Sequence, residues 1–203
     1  QAVGASYQGK KSGSFGTGTF SLYATKNVMS GEGGIITTND ERIAEQCKLM
    51  RSHGMKVRYY HDMLGYNFRM SDLHAAIGLA QMERLEEFNA GRKANAEYLS
   101  EHITSVITPQ VKPGYDHVWH QYTIRVDGNR GRDQAVKQLN EEGVGTGIFY
   151  PVPVHQQDYI REIAGEYRLS VSEKMAKEVI SIPVHPQVSQ ADLEKIVEEV
   201  NRL

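Results

Sequence analysis

An α/β fold is what this sequence predicts, and three observations predict it. Short runs rich in β-branched residues, such as residues 34–38 and 178–182, alternate with helical stretches. Several of those stretches open on a capping side chain followed by apolar residues at helical spacing, as at Ser71 and Ser189. The links in the second half of the chain are short, which suggests a small α/β sandwich.

Taken in order, residues 19–23 and 34–38 are predicted strands. Asn39 or Asp40 caps a predicted helix carrying Ile43, Ala44, Cys47 and Met50 on one face, and Gly54 stops it. Residues 55–70 read as an irregular loop mixing Arg58, Tyr59, Tyr60, His61 and Asp62, and loops of that length are often functional. Ser71 caps the next helix, with Asp72 in its first turn and Ala75, Ala76, Leu79, Met82 and Leu85 at helical spacing. After a break expected near residues 89–91, helix continues through Ala94, Tyr98 and Leu99. It links a first region, residues 1–103, to a second, residues 104–203. Met82, Leu85 and Phe88 read as core. In the second region, residues 119–126, 144–150 and 178–182 are predicted strands. Residues 132–142 form a helix closed by Gly143, and residues 158–164 and 171–177 form short helices. Ser189, with Asp192 three residues on, opens a last amphipathic helix with Leu193, Ile196, Val197 and Val200.

Composition narrows the classes. Charged residues make up 24% of 203 residues and nearly balance, with a formal net charge of -2. That gives neither the basic surplus expected of a nucleic-acid binder nor an acidic tail. Cys47 is the single cysteine, so no internal disulfide forms, and a reducing, cytoplasmic setting is the expectation. No run of about 18 apolar residues predicts a membrane helix. The eight histidines show no paired spacing with cysteine or carboxylates, so no metal site is predicted. His185 reads as structural, and His53, between Ser52 and Gly54, is a weaker candidate for a ligand contact than His155.

The chemistry concentrates at Ser21-Leu22-Tyr23-Ala24-Thr25-Lys26, followed by Gly31-Glu32-Gly33-Gly34. A lysine amine acts as a covalent catalyst when its surroundings hold a carbonyl beside it. Glycines let the backbone approach a bulky ligand, and a nearby serine hydroxyl suits a phosphate. This pattern points to a Schiff-base lysine for pyridoxal phosphate; alone, it also fits a solvated surface lysine.

The string GSFGTGTFSLYATKNVMSGEGGIITTND resembles the signature of the DegT/DnrJ/EryC1/StrS sugar aminotransferases, which are fold-type I pyridoxal phosphate enzymes. The likeness continues through RSHG at residues 51–54, GYNFRMSDLHAAIGLAQ at 65–81 and YPVPVHQQ at 150–157. These blocks keep the family's order over nearly the whole chain. The resemblance implies an aspartate-aminotransferase-like fold: residues 1–103 would be the C-terminal part of the large cofactor-binding domain with its linking helix, and residues 104–203 the small domain. It also implies that the chain starts in the middle of a longer family member. Gln1-Ala2-Val3-Gly4-Ala5 is similar to the end of the family's Asp-Ala-Ala-Gln-Ala segment, with Val3 where members often carry histidine. The aspartate that pairs with the ring nitrogen, the stacking aromatic and the phosphate-binding helix would then precede Gln1, and the 203 residues alone would be inactive.

Residue by residue, the resemblance assigns Lys26 as the lysine that binds the cofactor aldehyde and then moves the proton. Related dehydratases carry histidine there, so lysine implies transamination. Ser21 matches the phosphate-binding serine, its other reading being a strand-edge hydroxyl. Gln1 matches the glutamine on the cofactor's ring hydroxyl. Asn67 resembles the residue that reaches the cofactor phosphate of a neighbouring subunit, which implies a homodimer with shared sites; a turn residue is the alternative. Arg69 is matched to the amino donor's carboxylate or to a structural salt bridge, since guanidinium suits both. In the family the turn at residues 150–155 faces the mouth of the active site; His155, fixed by Pro151 and Pro153, then contacts the sugar nucleotide or serves structurally. The implied reaction carries an amino group from glutamate or glutamine to a keto sugar nucleotide. A non-catalytic regulator and an aminotransferase for a non-nucleotide ketone such as a cyclitol are the rival readings. No nucleic-acid or membrane partner is predicted.

Overall fold

Two polar side chains start the first long helices. Asp40 Oδ1 accepts the amides of Arg42 at 2.8 Å and Ile43 at 3.3 Å, and Ser71 Oγ accepts that of His74 at 3.3 Å. Each satisfies amides that the first helical turn leaves without an intrahelical partner. The computed structural model describes residues 1–127 and 131–203. They form two units, Gln1–Ala90 with Val111–His120, and Gly91–Gln110 with Gln121–Leu203. The sequence division after residue 103 keeps the linking helix whole in the first region; the units divide inside that helix.

The first unit holds β1 (Ser6–Tyr7), β2 (Lys10–Lys11), β3 (Gly18–Ser21), β4 (Gly34–Thr37), α1 (Glu41–Met50), β5 (Met55–Val57), β6 (Tyr60–His61), α2 (Asp72–Glu83), the start of α3 (Leu85–His102) and β7 (Tyr115–Asp116). β1 pairs with β2 and β7, and β3 pairs antiparallel with β4, Ser21 facing Gly34. Residues 55–70 are less irregular than the sequence suggests, because β5 and β6 form a small antiparallel hairpin with a register shift. The helical break also falls elsewhere. It lies at Arg84, whose side chain covers the Phe88 ring and pairs with Glu87. Residues 89–91 stay helical: Asn89 is tied to Val3 O and Asn27. Leu22, Val28 and Ser30 are buried beneath the lysine loop, and Val118 and Trp119 are buried on the 111–120 segment. By contrast, Leu73 on α2 is 71% exposed and Leu79 is 68% exposed.

The second unit holds the rest of α3, β8 (Tyr122–Arg125), α4 (Arg132–Glu141), a 3-10 turn (Val154–Gln156), α5 (Asp158–Ala164), α6 (Ser170–Glu178), β9 (Val179–Ile182) and α7 (Gln190–Asn201). β8 and β9 pair antiparallel from Tyr122↔Ile182 to Arg125↔Val179. Ala96 and Leu99 of α3, Tyr122 and Ile124 of β8, Leu139 of α4, Ile180 of β9 and Val200 of α7 are buried and supply the core. The capping box predicted at Ser189 and Asp192 is present in both directions. The strand predicted at residues 144–150 is not. Only Gly147 pairs there, exchanging both backbone bonds with Ser181 at 2.8 and 2.9 Å. Gly145 and Gly147 offer no side chain to pack, and Pro151 and Pro153 have no amide to extend a ladder. No helix among the described residues is long and apolar enough to cross a membrane.

Candidate active site

β3 delivers Ser21 to the edge of a turn and then lets the chain double back. Tyr23 bridges Gly31 in parallel, and the Lys26 amide donates to Tyr23 O at 3.0 Å. Leu22 N donates to Gly33 O at 2.9 Å and Ser30 N to Leu22 O at 2.8 Å, so both ends of the loop are tied together. The underside is closed by Leu22, Val28 and Ser30, all buried. Gly78 of α2 faces Ser30 and Leu22, and Gly33 leaves room for Met70 at the approach to α2. The loop therefore rests on α2, with Lys26 half-buried. Among the described residues the Lys26 amine has no hydrogen-bond or ion-pair partner.

Ser21 Oγ accepts the Tyr23 amide at 3.3 Å and is exposed, which leaves its proton for another acceptor. Gln1 lies two residues before Val3, whose carbonyl accepts Asn89 Nδ2 at 3.1 Å, and Asn89 Oδ1 in turn accepts Asn27 Nδ2 at 3.1 Å, next to Lys26 in sequence. Asn67 is held by the end of α1. Met50 O accepts Tyr66 N at 2.7 Å, Arg51 O accepts Phe68 N at 3.0 Å, and Asn67 itself bridges Ser52. Arg69 Nε donates to Asn67 Oδ1 at 3.2 Å, turning the amide's two N–H donors outward. Both side chains are exposed. Lys26 and Ser21 thus share one loop, to which the segment after Gln1 is tied through Val3, Asn89 and Asn27. Asn67 and Arg69 form a second pair on the same unit.

His155 lies in the second unit, 9% exposed. Its Nε2 donates to Glu173 Oε1 at 3.1 Å, and the same oxygen accepts the Leu169 amide at 2.7 Å. Those two bonds, the amide's first, hold the Glu173 carboxyl below its usual range. The structure thus gives His155 a carboxylate partner of its own. Three residues escaped the sequence reading: Asn27, Asn89 and His120 form a hydrogen-bonded chain beside Lys26. Their partners lie 62 to 93 positions away, and no local spacing marks them. Among the described residues no group of three or more His, Cys, Asp or Glu side chains could hold a metal.

This donor set fits a phosphate-bearing aldehyde. A primary amine without a partner among the described residues suits the carbonyl, while a serine hydroxyl and amide N–H groups suit phosphate and ring oxygens.

Comparison with known proteins agrees in class. The chain belongs to the DegT/DnrJ/EryC1/StrS aminotransferase family, whose profile matches residues 1–201. Enzymes of this family depend on pyridoxal phosphate. Among relatives, the Pleiotropic regulatory protein of Geobacillus stearothermophilus is 38% identical over 98% of this chain and 55% of its own. The UDP-N-acetyl-3-dehydro-alpha-D-glucosamine 3-aminotransferase of Acidithiobacillus ferrooxidans is 34% identical over 100% of this chain and 55% of its own. Among solved structures, S. venezuelae DesV in complex with a ketimine intermediate superposes with a TM-score of 0.90 at 30% identity, covering 98% of this chain and 54% of DesV. The chain spans about half the length of these relatives, 55% of each of the two curated ones.

Proposed function

We propose that this chain supplies the lysine side of a pyridoxal-phosphate-dependent aminotransferase that moves an amino group from glutamate or glutamine to a keto sugar nucleotide. The observation that carries the reading is the Lys26 amine, without a hydrogen-bond or ion-pair partner among the described residues, on a loop tied at both ends. The relative that acts on a UDP-linked 3-keto sugar supports the substrate class. When bound, the cofactor supplies an aldehyde and an electron-withdrawing ring. Ser21 Oγ and Gln1 bind and orient it beside Lys26, and Asn67 offers its amide N–H groups to the phosphate of a neighbouring subunit's site. Lys26 Nζ would take the proton from the substrate carbon bearing the transferred nitrogen and pass it to the cofactor's aldehyde-derived carbon on the other side of that nitrogen, and the reverse transfer would serve the keto sugar; such proton transfer contributes about 10²–10⁴-fold. The Arg69 guanidinium matches the donor's carboxylate. His155 fixes the 150–157 turn and presents it to the sugar nucleotide. Borohydride reduction of the complete gene product loaded with pyridoxal phosphate, followed by peptide mapping, is expected to find the label on Lys26. Label on another lysine instead overturns the assignment.

A regulatory reading draws on the name of the Geobacillus relative. Preferential trapping at Lys26 decides against it as the sole role, because a pure binding module has no use for a reactive lysine. The 203 residues taken alone are proposed to be inactive, since they match about half of each relative. Glutamate-dependent transamination by this chain in isolation would overturn that.

The assembly proposed is a homodimer with shared sites. Mixing Asn67→Ala subunits with Lys26→Ala subunits then places both lesions in one site of each mixed dimer and leaves the other intact. Random exchange at equal amounts restores roughly a quarter of all sites. If mixed dimers form and no activity returns, Asn67 acts within its own subunit or not at all.

A further inference from the structure

The loop that carries Lys26 has little backbone support of its own. From Ala24 to Met29, among the described residues, the one bond between backbone groups is Lys26 N to Tyr23 O. What holds the middle of the loop is the side chain next door. Asn27 Nδ2 donates to Val118 O at 2.7 Å and to Asn89 Oδ1 at 3.1 Å. Because Val118 O can only accept, the orientation of the Asn27 amide is fixed. Asn27 Oδ1 must then be the acceptor for His120, and the proton sits on His120 Nδ1, 3.1 Å away. Asn89, buried on α3, passes the chain on: its Nδ2 donates to Val3 O at 3.1 Å. Gly4 permits that approach, since a Cβ there would meet Asn89 Nδ2 at 2.5 Å.

The result is a directed run of hydrogen bonds, His120 to Asn27 to Asn89 to Val3. One end sits beside Lys26 and the other lies two residues from Gln1. The geometry between Val118 and His120 is specific. Trp119 is 7% exposed and has a φ of 47°, a left-handed conformation that costs a bulky residue about 1–3 kcal/mol and persists only where surroundings impose it. The His117 ring nitrogen Nδ1 accepts the Trp119 amide at 3.0 Å and secures the turn. That turn aims the Val118 carbonyl and the His120 ring at the same amide.

We propose that Asn27 and His120 are positioning residues for Lys26: together they fix the loop so that the amine meets the cofactor aldehyde in one orientation. The proposal rests on the reading of Lys26 given above. A lysine side chain is long and freely rotating, so its effective placement depends on the backbone at its base. Removing one partner from a run of this kind leaves a donor or acceptor unsatisfied and loosens its neighbours. Neither residue touches the reacting atoms in this scheme.

The test compares the complete gene product with His120→Ala, His120→Asn and Asn27→Ala. Pyridoxal phosphate and borohydride serve as the probe, and labelling of Lys26 is read against labelling of Lys112 by mass spectrometry. The ratio is expected to fall about tenfold in both alanine variants and to recover to within about twofold in His120→Asn, whose amide N–H replaces Nδ1–H. Thermal unfolding confirms that each variant keeps its fold. An unchanged ratio in folded His120→Ala overturns the proposal, as does equal loss in His120→Asn. Should Lys26 be no more reactive than Lys112 in the unsubstituted protein, the aminotransferase reading fails on its own. The positioning pair is then decided by hydrogen exchange at the Lys26 amide: faster exchange in folded His120→Ala upholds it, and an unchanged rate rejects it.

Discussion

Lys26→Ala is expected to abolish turnover in the complete gene product while leaving the fold intact. The side chain is half-buried and makes no hydrogen bond or ion pair among the described residues, so its loss removes no structural bond. The loop stays tied through Leu22, Ser30 and Gly33 and through the Asn27 side chain. What disappears is the amine that holds the cofactor aldehyde and the base that moves the proton. The second of these alone is worth roughly 10²–10⁴-fold, so activity falls to background. A thermal midpoint within a few degrees of the parent is the companion result, since surface changes away from packed features typically cost within about 0.5 kcal/mol. Lys26→His restores a base without the covalent link, and elimination chemistry in that variant would mirror the dehydratases that carry histidine there. Residual transamination in Lys26→Ala at more than about one part in 10² of the parent rate would remove Lys26 from the chemistry.

The largest stability effect is expected at Gly54. Its φ is 69°, and a Cβ there would run into the backbone carbonyl of Met63. Gly65 faces Gly54 in turn, with a would-be Cβ against the Gly54 nitrogen. The two glycines are where the Arg51–Gly54 turn and the stretch leading to Asn67 touch backbone to backbone. Gly9 provides the control: its φ is 79°, yet nothing lies within 4 Å of a Cβ placed there. Gly9→Ala should therefore cost only the left-handed penalty, about 1–2 kcal/mol. Gly54→Ala adds the displacement of backbone and should cost about 2–4 kcal/mol, read by urea unfolding. Equal costs at the two positions would show that the close approach at Gly54 carries no weight.

What could be read from the sequence was what is decided locally. Asp40, Ser71 and Ser189 announce their helices because a cap acts within three residues of itself, and the amphipathic pattern of α7 extends that signal. The lysine block was legible because its residues are contiguous. Features decided by distant partners were not. Nothing near Asn27 reveals that Val118 and His120 will close on it from 91 and 93 positions away. The stretch at residues 89–91, where a break is expected, contains Asn89 and Gly91, both poor helix formers. Packing reverses that preference, since Asn89 is engaged on both sides and Gly91 lies against Pro186. The strand expected at 144–150 failed from within: Gly145 and Gly147 interrupt its apolar residues, and pairing survives at Gly147 alone.

The carbonyls at the end of α1 hold the Tyr66 and Phe68 amides, so that helix end presents Asn67. If Asn67 serves the neighbouring subunit's site, as proposed, damage to α1 is felt away from where it occurs. A subunit with a frayed α1 keeps its own lysine loop but withdraws an amide from its neighbour. In a mixed dimer such a lesion disables the site built on the sound partner's lysine, while the lesioned subunit's own site is completed by the partner's Asn67, so the damage is relocated without being enlarged.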